Sequence, residues 1–309
     1  MNTQELPMII FTVLAQMSVG AFVTLGIVQA FASRRYGAAA VDKVTDPALY
    51  AIGPVLVLGL LASMFHMNDV THTLNVVRHL GSSWLSAEIV FGVAFAGLGF
   101  VFAAAQWFTW ATTRLRQGLA ALTAVVGLLL VSSMSMIYYS LPTVPAWHTW
   151  ATPAQFFTTT FLLGSLAVGA ALTGAVMWRQ RRGAAATHAP TDASSQALLT
   201  SCLKGIGIGA VALLGVEFLV IPLHLTTLST AGGVATASAA VFTGAWFIAR
   251  LALVFLGAGL LAVFLYRYAG TRTAPRTLAV IATGAFILVL AGELIGRSLF
   301  YESMIRVGM

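Results

Sequence analysis

The sequence predicts an all-α fold, a polytopic membrane bundle of eight transmembrane helices. Of its 309 residues, 59% are hydrophobic and only 8% are charged, whereas an average soluble domain has about 25% charged residues. Backbone polar groups must be paired internally in lipid, so only helix bundles and closed barrels can span a membrane. The apolar stretches of this chain are continuous rather than alternating, which excludes a barrel.

Eight apolar stretches are long enough to span, since a helix needs about 20 residues to cross the hydrocarbon core. They lie near residues 6–31, 48–66, 85–107, 116–139, 155–178, 200–224, 242–267 and 277–300. No basic residues precede the first stretch, so we expect no cleaved signal peptide. A small, polar, proline-containing segment near 179–199 predicts a flexible cytoplasmic linker. It would divide one anchor domain, residues 1–309, into four plus four spans.

The basic residues lie mainly on one side of the predicted membrane. The loops after the odd-numbered spans hold most of the Lys and Arg residues, and the opposite side holds only Arg78 and Arg306. Because positive charge is retained in the cytoplasm, we expect a multi-pass protein of the inner (cytoplasmic) membrane with both termini in the periplasm. The net charge of +7 is thereby explained by topology, and no nucleic-acid partner is predicted.

Ionisable side chains inside the spans mark candidate sites, because each costs about 2.5–3.5 kcal/mol at mid-bilayer. They are Glu88, Glu217, Arg250, Glu293 and Arg297, with His66 and His224 near span ends. The predicted topology places all of them in the outer half of the membrane. Glu293 and Arg297 have the spacing of a pair on one helix face, and Glu217 and Arg250 can pair across helices. Histidines ending the second and sixth spans are a weak sign of internal duplication.

His66 and Glu88 form the sharpest candidate site. They lie at similar depth on consecutive spans, joined by a segment at 68–81 whose apolar residues share one helical face. This segment predicts a short amphipathic helix on the outer membrane surface. A neutral imidazole and a carboxylate can together accept protons from a hydroxylated ligand. The alternative is a capped helix end and a carboxylate that reaches the interface.

No metal site is predicted in this chain. The histidines between residues 66 and 79 suit a solvated surface helix better than a ligand set, and Cys202, the single cysteine, cannot ligate an iron–sulfur cluster alone. A haem b quinol-linked cytochrome subunit is the less favoured alternative, because His66 and His224 would have to supply its axial ligands from the outer edge. A secondary transporter is less favoured still, since its ionisable groups would lie near the midplane.

The loop at 141–153 contains Trp147 and Trp150 but no charged residue. Aromatic side chains are typical of the membrane–water interface. An uncharged loop also fits a surface that a partner protein covers. We therefore expect the two tryptophans and the surface helix to form a docking face.

Several stretches resemble one family, in matching order along the chain. They are ELPMIIFT at 5–12, ASMFH at 62–66, LSAEI at 85–89, TVPAW at 143–147, WATP at 150–153, LAGELIGR at 290–297, and Phe300 with Tyr301. Together they resemble the membrane anchor subunit of dimethyl sulfoxide reductase. The resemblance includes polar positions inside spans as well as apolar composition.

The resemblance implies an eight-span bundle with both termini outside and a site that oxidises menaquinol. It implies two periplasmic partners, an iron–sulfur subunit that receives the two electrons and a catalytic subunit that carries molybdenum and molybdopterin. His66 and Glu88 occupy the positions that serve the quinol site in that family, and Arg78 matches a further family-like position that we include as a quinol-binding candidate.

Overall fold

A computed structural model of the chain describes residues 5–64, 81–183, 193–268 and 275–308. Within these ranges, eight helices are long and apolar enough to cross a membrane, and all regular secondary structure is helical. The predicted all-α, eight-span fold is confirmed. The predicted surface helix lies almost wholly outside the described residues, as does the central part of the predicted linker.

The helices follow the predicted stretches. In chain order they are α1 (Leu6–Tyr36), α2 (Ala38–Met64), α3 (Trp84–Trp107), α4 (Thr113–Tyr139), α5 (Ala151–Gly183), α6 (Ala193–Ala231), the short α7 (Gly233–Ala240), α8 (Ala245–Val263) and α9 (Pro275–Glu302). Consecutive spans run in opposite directions, so α1 begins at the end of the bundle where α9 finishes. We call this the terminal end; α3, α5 and α8 also begin there.

The helix α2 begins earlier than the sequence indicates, at Ala38 rather than near residue 48. The connection between α1 and α2 is therefore the single residue Gly37. Its φ of 81° lies in the left-handed region that glycine adopts without strain. Asp42 thereby becomes helical and accepts a hydrogen bond from Gln29 at 3.4 Å. An apolar-run criterion misses this extension because the first turns of α2 are polar.

The helix α6 ends later than predicted, at Ala231 rather than near residue 224. His224 therefore lies inside the helix instead of at its end. At the far end of the next span, α8 continues into a π-helical turn over Phe264–Tyr268. Both extensions lengthen spans without changing their number or direction.

The first helix is the most deeply buried of the eight spans. It crosses α5 where Gly20 faces Gly164. A Cβ at Gly20 would lie 1.8 Å from the carbonyl oxygen of Thr160, and one at Gly164 would lie 2.1 Å from the carbonyl carbon of Gly20. Because glycine lets two helix backbones touch, this crossing holds the two halves of the chain in close contact.

The two halves repeat one packing pattern. The helix α1 packs against α2 and α4, as α5 packs against α6 and α9, and the α3–α4 pair is matched by the α8–α9 pair. The sequence indicates such a duplication only weakly, through the histidines near the ends of the second and sixth spans. The repeat places the starts of α3 and α8 in corresponding positions at the terminal end.

Candidate functional site

Buried charge gathers near the terminal end of the bundle. The buried charged side chains of the described residues are Glu88, Glu217, Arg250, Glu293 and Arg297, and His224 is buried as well. Each lies in the half of its helix nearest that end. The predicted one-sided distribution of ionisable groups therefore holds for the described part of the chain.

Glu88 lies one turn into α3, close to the helix start. Ser83 caps that start, its hydroxyl oxygen accepting a hydrogen bond from the backbone N–H of Ser86 at 3.4 Å. The Glu88 side chain is only 8% exposed and lies within electrostatic range of the hydroxyls of Tyr138 and Tyr301. A buried carboxyl group therefore lies near the start of α3, at the terminal end of the bundle.

The other two predicted site residues, His66 and Arg78, lie outside the described residues. The described part of α2 ends at Met64, near the terminal end and two positions before His66 in the sequence. The chain is described again from Gly81, just before the start of α3. The structure therefore places Glu88, and the predicted site around it stays a prediction.

An aromatic cluster fills the space between Glu88 and the end of α9. We define it by five buried side chains: Tyr138, Trp147, Phe156, Phe300 and Tyr301. The hydroxyls of Tyr138 and Tyr301 are 3.0 Å apart, and Trp147 stacks on Phe300 with ring centroids 5.3 Å apart. These rings come from both halves of the chain, so the cluster joins the halves beneath the terminal surface.

The predicted docking role is wrong for Trp147. Its side chain is 5% exposed, and its indole N–H donates to the carbonyl oxygen of Phe300 at 2.8 Å. Composition alone places a tryptophan of an uncharged loop at the membrane–water interface. Trp147 is buried instead, because a buried carbonyl oxygen accepts the hydrogen bond of its indole N–H. Trp150, at 51% exposure, remains available at the surface.

A second polar group lies deeper, where α6, α8 and α9 meet. We call Glu217, Arg250 and Glu293 the carboxyl–arginine cluster. The Nη2 atom of Arg250 donates to Glu217 Oε1 at 2.7 Å and lies 3.6 Å from Glu293 Oε1. The hydroxyl of Thr159 on α5 donates to Glu293 Oε2 at 2.6 Å. The predicted cross-helix pair of Glu217 and Arg250 is thereby confirmed.

The predicted pair of Glu293 and Arg297 is wrong. Among the described residues, Arg297 takes Gln16 and the ring of Phe156 as its close partners: Nη2 donates to Gln16 Oε1 at 2.9 Å, and the guanidinium carbon lies 3.9 Å from the ring centroid. Spacing of four on one helix favours a pair only when no nearer partner exists on a neighbouring helix. Here Glu293 has Arg250 of α8 as its nearest arginine, and Gly296 leaves the space through which Arg250 approaches.

The space at Gly296 explains why Arg250 fits. A Cβ at this position would lie 2.4 Å from Arg250 Nε. The guanidinium of α8 therefore occupies the volume that a larger side chain on α9 would take. This is a contact that helix periodicity alone does not predict.

Sequence reasoning missed Gln16 and Thr159 as members of the buried polar network. Gln16 is fully buried on α1, and its only signal is that it is an amide in the middle of a largely apolar stretch. Thr159 belongs to a run of threonines that gives no indication of which one turns inward. His224, predicted at a span end, instead contacts the hydroxyl of Thr149 at 3.4 Å.

Comparison with known proteins decides the family. The family model of the DMSO reductase anchor subunit (DmsC) matches residues 1–302. The chain belongs to this family. A relative from Escherichia coli, the anaerobic dimethyl sulfoxide reductase chain designated C, is 29% identical over 99% of this chain and 96% of that protein. The protein of the same name from Haemophilus influenzae is 30% identical over 56% of this chain and 60% of its own length. The sulfite dehydrogenase subunit designated C, from Allochromatium vinosum, is 28% identical over 48% of this chain and 49% of its own.

The resemblance found in the sequence is thus confirmed, and the chain is a multi-pass membrane anchor subunit of a DMSO-reductase-type complex. In this anchor subunit, Glu88 and the carboxyl–arginine cluster lie near the same end of the bundle but in different halves. The aromatic cluster and Arg297 lie between them.

Proposed function

We propose that this anchor subunit oxidises menaquinol near the terminal end and passes two electrons to an iron–sulfur partner subunit. That partner would supply a molybdenum-containing catalytic subunit. The observation that carries the proposal is the burial of Glu88 at this end, beside the tyrosines of the aromatic cluster. A carboxylate that is costly to bury in lipid marks a functional position.

Oxidation of a quinol to a quinone releases two protons and two electrons. We assign proton acceptance to the imidazole of His66 and the carboxylate of Glu88, because a neutral imidazole and an ionised carboxylate can each accept a proton from a hydroxyl group. Arg78 would contribute to binding the quinol. Apolar walls would hold the ring and its isoprenoid tail, as in most small-molecule sites.

The two electrons must leave the chain directly. Its single cysteine cannot ligate an iron–sulfur cluster, which usually takes four thiolates. The quinol site must then lie close to the partner's cluster, at the membrane edge. This requirement agrees with the place of Glu88 near the start of α3.

The proposed orientation has the terminal end facing the periplasm, in the inner membrane. It rests on the excess of basic residues in the loops at the opposite end. Both partner subunits would then dock on the periplasmic face. The protons taken from quinol would be released on the same side of the membrane as the quinol site. This step alone would therefore move no charge across the membrane.

The test compares two reactions of the assembled complex, reduction of its substrate by menaquinol and by an artificial dye that bypasses the anchor. Glu88→Gln and His66→Leu should each lower the quinol-driven rate at least tenfold and leave the dye-driven rate unchanged. Glu302→Gln and His148→Leu are matched controls near the terminal end and should preserve both rates. Wild-type quinol rates in the Glu88 and His66 variants would remove the site assignment.

A further inference from the structure

The carboxyl–arginine cluster contains two carboxyl groups and one arginine. The single positive charge of Arg250 can balance only one ionised carboxylate. Arg250 Nη2 lies 2.7 Å from Glu217 Oε1 and 3.6 Å from Glu293 Oε1. Both carboxyl groups therefore face the same nitrogen atom of Arg250. Glu217 is 4% exposed and Glu293 is 3% exposed, so bulk water does not compensate the extra charge.

Two oxygen atoms of the cluster have no hydrogen-bond donor among the residues that the structure describes. They are Glu217 Oε2 and Glu293 Oε1, and both are buried. An ionised carboxylate only accepts hydrogen bonds, so neither group can satisfy the other while both are ionised. A proton on one of them turns that carboxyl into a hydrogen-bond donor and removes one of the two buried negative charges.

Charge counting leads to the same result. Within the described residues, Arg250 is the only cationic side chain within 4.0 Å of either carboxyl group. Arg297 is engaged with Gln16 and the Phe156 ring, and His224, further along α6, contacts Thr149. If both carboxylates were ionised, one buried negative charge would have no cation in close contact, since Arg297, one turn from Glu293 on α9, is outside contact distance of the pair; such a charge is unfavourable in lipid.

We propose that Glu217 and Glu293 share one proton, so that the carboxyl–arginine cluster is a buried proton-binding site of zero net charge. The site is independent of the quinol site proposed around Glu88. It differs from that site in having a fixed cation, Arg250, which holds the second carboxyl ionised.

A cleft beside the cluster is lined by Gln155, Thr158, Thr159, Glu217, Val220 and Arg250. Only Val220 among these is apolar. The amide and hydroxyl groups of the lining can donate hydrogen bonds to the carboxyl groups or accept one from a protonated carboxyl.

The first test is infrared spectroscopy of the purified complex at neutral pH, in ordinary and heavy water. The wild type should show the C=O stretch of a protonated carboxylic acid, shifted by deuterium, that is missing from both Glu217→Gln and Glu293→Gln. In either variant the remaining glutamate is ionised against Arg250. Glu302→Gln is the control and should retain the band. Persistence of the full band in both single variants would overturn the proposal.

The second test is stability, because glutamine is a neutral isostere of protonated glutamate. Each single variant should assemble normally and keep the thermal midpoint of the wild-type complex. The double variant Glu217→Gln/Glu293→Gln leaves Arg250 buried without a counter-ion and should assemble in much lower yield. Losses in the single variants that add up to the loss in the double variant would show two ionised carboxylates, and failure of either single variant to assemble would equally contradict a shared proton.

Discussion

The hydroxyls of Tyr138 and Tyr301 lie 3.0 Å apart and connect the two halves of the anchor subunit. Tyr138 ends the fourth span and Tyr301 ends the last one, so the contact joins residues far apart in sequence. Both side chains are buried, and Tyr138 also packs edge-on against Trp147. Each hydroxyl therefore takes the other as a buried hydrogen-bond partner.

Removing both of these hydroxyls should cost less than the sum of the two single removals. Tyr301→Phe leaves the buried hydroxyl of Tyr138 without this partner, which should destabilise the subunit by about 1–3 kcal/mol. The double variant Tyr138→Phe/Tyr301→Phe should lose less than the sum of the single losses, because neither hydroxyl is then left unpaired. Thermal unfolding of the purified complex measures this. Tyr139→Phe is the neighbouring control, and strictly additive losses would contradict the pairing.

The crossing of α1 and α5 should tolerate no side chain at Gly20. A Cβ there would lie 1.8 Å from the backbone oxygen of Thr160, and backbone cannot move aside as a flexible side chain can. Gly20→Ala should therefore separate the helices and sharply lower the amount of anchor subunit in membranes. Gly26→Ala on the same helix is the control, since a Cβ there meets nothing within 4 Å. Equal membrane levels of the two variants would disprove the close crossing.

The number of spans and the end at which charge gathers could be predicted from the sequence. Both depend on composition along each stretch, because hydrocarbon thickness sets helix length and the cost of burying charge applies to every helix. They need no knowledge of which helices are neighbours. The polar start of α2 is the exception, since Asp42 is stabilised by Gln29 of another helix rather than by its own apolar surroundings.

The partners within the site could be predicted only in part. Glu217 and Arg250 were paired correctly, whereas Glu293 and Arg297 were not, because helix spacing shows which residues share a face but not which neighbour lies nearer. Gly296 admits Arg250 to Glu293, and Gln16 takes Arg297. Such choices depend on volumes and distances between helices, which a single sequence does not contain.

The indole N–H of Trp147 should contribute to stability, and that of Trp150 should not. Trp147→Phe removes the 2.8 Å hydrogen bond to the Phe300 carbonyl. That carbonyl keeps its hydrogen bond from the Ser303 hydroxyl at 2.7 Å, so we expect the loss of one net hydrogen bond, about 0.5–1.5 kcal/mol. Trp150→Phe changes a side chain that is 51% exposed and should leave the thermal midpoint unchanged. Thermal unfolding of the two variant complexes makes the comparison. An equal effect of both substitutions would contradict the burial of Trp147.

The place of Arg250 in the carboxyl–arginine cluster should depend on the absence of a side chain at Gly296. In Gly296→Ala the new Cβ would lie 2.4 Å from Arg250 Nε, so the guanidinium must move away from α9 and lengthen its contacts with Glu217 and Glu293. Breaking a buried ion pair costs about 3–5 kcal/mol, and a displaced pair should lose a large part of that. Gly259→Ala on α8 adds a methyl group where nothing lies within 4 Å and serves as the control. Thermal unfolding should separate the two variants clearly; matching midpoints would mean that Arg250 can pair with both carboxyl groups without the space at Gly296.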